Sequence, residues 1–160
     1  MDTKSQLRSL GRKLRTLAAA GPRRQALVAE AIVAMLVARL AILIRPFNEV
    51  SRGFGVFVPP TDPRVTERTA ATPEQASVAR EIAWAIRAAA PFMPFRSVCL
   101  QQAMAAHTML KRRGVRCAMH FGAGRGIDKP IDAHAWVDAG FVKVTGYPVA
   151  GNLRELGCFV

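Results

Sequence analysis

The stretch "LVAEAIVAMLVARLAILI", residues 27–44, constrains the fold more than any other part of the chain. Sixteen of its eighteen residues are apolar, so a helix built from it must be covered by its own domain or by a partner. A signal sequence fits poorly. The run is long for a signal-peptide core, and "RPFNEV" follows where a small-x-small cleavage site would stand. A membrane span fits poorly too, because Glu30 and Arg39 lie about half a rotation apart on a helix and cannot share one narrow face. Each would cost about 2.5–3.5 kcal/mol near the bilayer centre. The stretch therefore reads as a core or partner-facing helix, with a membrane-surface contact as the alternative.

The chain of 160 residues suits one compact domain with a sizeable core. Hydrophobic residues at 51% and charged residues at 21% mark a folded composition. The net charge of +12 admits acidic partners: nucleic acid, an anionic membrane, or an acidic peptide or protein. Half of it falls within residues 1–24, where Lys4, Arg8, Arg12, Lys13, Arg15, Arg23 and Arg24 face only Asp2. No aromatic residue interleaves with that basic run, which argues against nucleic acid read by base stacking. Cys99, Cys117 and Cys158 are odd in number and lack paired spacing. That pattern speaks against a disulfide framework and for the reducing cytoplasm.

Leu7, Leu10, Leu14 and Leu17 recur at helical spacing with bases between them, giving a basic amphipathic helix over residues 5–18. The apolar helix follows and ends at Pro46. Residues 46–71 read as irregular, with one short strand at most, "GVFV". Thr72, Pro73 and Gln75 then spell a capping box that opens a helix to about Ala90, burying Ala79, Ile82, Ala83, Ile86 and Ala89. Ser97 is placed to cap the next helix, and Gly114 ends it after Lys111, Arg112 and Arg113. "VRCAMHF" alternates as a half-buried strand with Val115, Cys117, Met119 and Phe121 on one face. A glycine-bearing loop leads to the strand "AHAWVD", a turn at Ala139-Gly140, and the strand "FVKVT". The fold class is α+β: N-terminal helices with a linker over 1–71, then a helix and a small antiparallel sheet over 72–160, forming one compact unit.

The chemistry centres on Cys99 and His134. Cys99 falls in the first turn of its helix, where unpaired N–H groups and the helix dipole favour negative charge and so the nucleophilic form of a thiol. The same N–H groups can stabilise a developing oxyanion. His134 shares a strand face with Trp136 and Asp138 and is the best-placed base. A structural reading stands beside this one, since a free cysteine is commonly a small buried hydrophobe. No CxxC or HxxxH pair supports a metal site built from Cys99, Cys117, His120 and His134, and no cofactor motif is present. His107 lies almost opposite Cys99 on the same helix and reads as structural. His120, off the face of Cys117 and Met119, is placed to line a cleft.

The segment "CLQQAMAAHTMLKRRGVRCAMHFGAGR", continued by "AHAWVD", resembles the transglutaminase-like cysteine proteases of lasso-peptide biosynthesis, the leader peptidases also described as a microcin-processing domain. The close match covers about residues 95–146, with a weaker one over the N-terminal helices and "IAWAIRAAAPFMPF". The resemblance implies a transglutaminase-like, papain-like core in which Cys99 is the nucleophile and His134 the general base. Family members often carry an Asp some dozen residues after the His, where this chain has Thr145 and Gly146. Asp138 matches the acid after Ala-His-Ala-Trp-Val and is the expected third member, with Asp132, Thr145 or a backbone carbonyl as substitutes.

The resemblance also implies partners. The residues before 95 leave no room for a leader-recognition domain beside the helices, which implies a stand-alone peptidase working with a separate leader-binding protein. Its substrate would be a precursor peptide, and an ATP-using, asparagine-synthetase-like cyclase would close the freed core peptide. The apolar stretch and the basic helix before it are the candidate docking surfaces. The rival reading is a non-catalytic basic adaptor or membrane-surface module.

Overall fold

A computed structural model describes residues 19–66, 72–95, 99–126 and 130–160. The basic segment 5–18 and the expected cap Ser97 lie outside the described residues. The first described helix, α1 (Pro22–Ile44), starts at a proline in its first turn and ends before Pro46. Leu27, Val28, Ala31, Met35 and Ala38 are buried along one side of it. Short helices α2 (Phe47–Val50) and α3 (Pro63–Thr66) flank the two-residue strand β1 (Phe57–Val58). The long helix α4 (Pro73–Ala89) opens with the expected capping box: the Thr72 hydroxyl accepts from the Gln75 N–H, and the Gln75 side chain accepts from the Thr72 N–H.

α4 buries Ala79, Ile82, Ala83, Ala85, Ile86 and Ala89. Its many alanines let α1 and α5 (Cys99–Lys111) approach closely, and all three helices share one apolar core with the sheet. Ile82 and Ile86 are completely buried, each contributing about 1.5–3 kcal/mol. Gly114 closes α5 with φ +65, a left-handed exit that suits glycine.

The two charges inside the apolar stretch are both accommodated. Glu30 receives a bidentate pair from Arg113, at 3.0 and 2.5 Å, and Arg113, helped by Arg112, holds the Glu30 carboxyl below its usual range. Arg39 lies over the ring of Phe95 at 5.7 Å.

The sheet contains β1, β2 (Ala118–Gly124), β3 (Asp132–Ala139), β4 (Val142–Thr145) and β5 (Arg154–Phe159), all antiparallel, in the order β1-β5-β2-β3-β4. The helices cover one face, where Met119, Ala135, Val137, Ala139, Val144 and Phe159 meet them. The expected α+β arrangement is therefore present: N-terminal helices, then a helix and an antiparallel sheet. β5 extends the expected set of strands and fills the place between β1 and β2. The turn also differs from expectation. Ala139 pairs with Val142, and a bulge between Val137 and Asp138 sets Thr145 opposite Val137 instead of His134. Asp132, expected in the loop, is the first residue of β3.

Candidate active site

Cys99 is the first described residue of α5 and is half-buried. The helix leads through residues 112–117 into β2 at Ala118, which pairs with Asp138, while the far end of β2 pairs with Asp132–His134. α5 packs against β3. Two consecutive residues at the end of β4, Thr145 and Gly146, tie these parts together. The Thr145 hydroxyl donates to the side-chain oxygen of Gln102, one turn beyond Cys99, at 3.4 Å. The Gly146 carbonyl lies 2.6 Å from His134 Nε2. Among the described residues no hydrogen bond joins the Cys99 thiol to His134 directly. Such contacts are often long in the substrate-free enzyme and tighten when substrate binds.

The Gly146 contact fixes the state of the imidazole. A carbonyl oxygen only accepts, so Nε2 carries the proton and Nδ1 of neutral His134 has the free lone pair. Trp136 stacks beside the ring at 6.1 Å and 21°, restricting its rotation. Gly146 is required where it stands. Its φ is +84, and a Cβ there would lie 2.5 Å from the Ala135 carbonyl oxygen and 2.6 Å from Trp136 Cβ. No aspartate fits at this position, twelve residues after His134, so the backbone carbonyl takes the place of a carboxylate.

Asp138, expected to orient His134, serves another histidine. Its carboxylate accepts from the Tyr147 hydroxyl at 2.6 Å and lies 3.7 Å from His120 Nε2. The physical reason is strand geometry: four residues along a strand span roughly 13 Å, and β3 keeps an unbroken register with β2 from His134 to Asp138, the extra residue of the bulge, Val144, belonging to β4. His120 is buried on this outer sheet face, stacked on Trp136 at 5.3 Å and 3°, with Nδ1 2.6 Å from Glu155. Only 6% of it is exposed.

The other cysteines are poor nucleophiles. Burial pushes the Cys117 thiol up to about 12. Burial, then the nearby Glu155 and Asp62 carboxylates, pushes Cys158 up to about 11. His107 is buried against Phe54, and desolvation lowers it to about 4, fitting a structural residue. A groove between α1 and α4 is lined by Arg23, Glu30, Glu81 and Arg113. Those charges are already paired with one another, so the groove reads as a packing seam.

Sequence reasoning named Cys99 and His134 and held a backbone carbonyl among the alternatives for orienting the imidazole, but did not single out Gly146 for that role and did not name Gln102. A glycine following an expected strand was the only available trace of the first. A family model described as the transglutaminase-like superfamily matches residues 41–156. No curated protein and no solved structure matches the chain.

Proposed function

The chain belongs to the transglutaminase-like superfamily, and from that premise we propose that it is a cysteine peptidase that removes the leader from a lasso-peptide precursor. The observation that carries the reading is the His134–Gly146 contact, which leaves Nδ1 free to act as a base, in a chain whose half-exposed Cys99 lies in the first described turn of α5.

In this mechanism Nδ1 takes the proton of the Cys99 thiol and the sulfur attacks the scissile carbonyl. The N–H groups of the first turn of α5 stabilise the oxyanion. As the C–N bond breaks, the imidazolium returns its proton to the leaving amine. Water, deprotonated by the same nitrogen, then hydrolyses the thioester and restores the thiol. The chain would act in the cytoplasm beside a leader-binding protein and an asparagine-synthetase-like cyclase. The lasso assignment draws on the Cys-Leu helix start and the Ala-His-Ala-Trp-Val strand.

The test mixes purified protein with precursor peptide and leader-binding protein and follows the products by mass spectrometry. Wild type should release the leader, and Cys99→Ala should not. Cleavage that survives in Cys99→Ala would refute the reading.

One observation favours a second reading, a non-catalytic adaptor: α1 exposes Val33, Val37, Leu40, Leu43 and Ile44. Such a module would bind its partner with or without the Cys99 thiol and would cleave nothing.

A further inference from the structure

The outer face of the sheet carries a second constellation, remote in chemistry from Cys99. His120 on β2 pairs directly with Cys158 on β5, and the bulge past Phe121 brings Glu155 opposite Gly122 on the same side. Among the described residues, one ligand atom each from His120, Glu155 and Cys158 lies within 4.8 Å of the others. His120 is 6% exposed and Cys158 fully buried, while Glu155 keeps an edge toward solvent that leaves a route of entry.

The surroundings resemble the support of a metal ligand. The second ring nitrogen of His120 faces the Asp138 carboxylate at 3.7 Å, and Tyr147 holds that carboxylate in turn. An outer carboxylate on the far nitrogen of a ligating histidine fixes its tautomer and its aim. Trp136 stacks flat on the ring and limits water on that side. Charge points the same way. In a chain with 23 bases and only 11 acids, two carboxylates flank His120, Glu155 at Nδ1 and Asp138 behind Nε2.

We propose that His120 Nδ1, Glu155 and the Cys158 thiolate form a binding site for a divalent cation of the zinc class. The mixed N, O and S donor set selects a borderline-soft metal over magnesium or calcium. On binding, Cys158 loses its thiol proton and the short His120–Glu155 hydrogen bond gives way to two metal–ligand bonds, the released protons passing to solvent. Three protein ligands leave a fourth position for water. The site ties β5 to β2, and through Trp136 it adjoins His134 without using either member of the proposed peptidase pair.

The test uses the full chain, stripped with chelator and titrated with Zn²⁺ by calorimetry and with Co²⁺ by absorption. The expected result is one equivalent bound, a thiolate-to-cobalt charge-transfer band, and a melting temperature that climbs with metal concentration. Cys158→Ser should abolish the band. Glu155→Gln, a change at a partly exposed side chain, should weaken binding at least about tenfold. Cys99→Ala should leave binding and band intact. The proposal is overturned by substoichiometric binding, by a band that persists in Cys158→Ser, or by a band that disappears in Cys99→Ala. None of these outcomes bears on leader cleavage, so the two readings fail separately.

Discussion

At the scale of single residues, the substitution of a carbonyl for a carboxylate decides what His134 can do. Asp138→Asn should leave turnover within a few-fold of wild type, because Asp138 faces His120 and Tyr147. Gly146→Asp should abolish turnover and lower the melting temperature, since its Cβ has nowhere to go. Steady-state kinetics with thermal melts checks both, and a loss of several orders of magnitude in Asp138→Asn would return that residue to the site. The place of Cys99 near the start of α5 was readable from the helix period that follows it. A backbone carbonyl stood among the alternatives for His134, but its identity as Gly146 was not legible, because backbone acceptors leave no mark in a sequence and the bulge after Val137 shifts the register that would have located it. His107 supplies a further expectation. Its folded value, about 4, lies below the ordinary 6.5, so its contribution is complete above pH 6.5 and is lost as pH falls toward 4. Roughly 2 kcal/mol should disappear between pH 7 and pH 5. Chemical denaturation at both values should show this loss in wild type and a smaller one in His107→Leu.

At the scale of elements, local signals that involve neighbouring residues were readable and those that depend on distant pairing were not. The start of α4 is written in four consecutive residues, and each of its five expected core positions is buried. Thr72→Ala removes one half of the reciprocal box and should cost about 1 kcal/mol in urea denaturation, with turnover unchanged. A loss below a few tenths would mean that the cap adds nothing to the packed helix. β5 had no such signature. "RELGCF" lacks clean alternation because the bulge skips Leu156, left exposed, and the strand exists only because β1 and β2 flank it. The apolar stretch was half legible. Its helix and the inward face were readable, but Val33, Leu36, Val37, Leu40, Leu43 and Ile44 remain uncovered.

At the scale of the whole molecule, that uncovered face sets the expected behaviour in solution. The sheet and the other helices have room to cover only the side of α1 bearing Leu27, Val28, Ala31, Met35 and Ala38. The isolated protein should self-associate. Replacing Val37 and Leu40 with lysine should yield a monomer in sedimentation with the melting temperature nearly kept, whereas Met35→Lys should unfold it. If the exposed face receives the leader-binding protein, wild-type melting temperature should rise with partner concentration and the double lysine variant should lose that rise. A wild-type chain that sediments as a detergent-free monomer and whose melting ignores the partner would contradict this picture. The central claim lies elsewhere in the molecule, in the coupling of one thiol to one imidazole, and it can be measured without a substrate. Timed alkylation of the folded protein by iodoacetamide near neutral pH, mapped by peptide mass spectrometry, gives a rate for each cysteine. The account predicts rapid labelling at Cys99, slowed at least about tenfold by His134→Ala, with the half-buried Cys117 and the buried Cys158, whose thiols are both pushed up, spared. A Cys99 that labels at the same rate with and without His134 would contradict it.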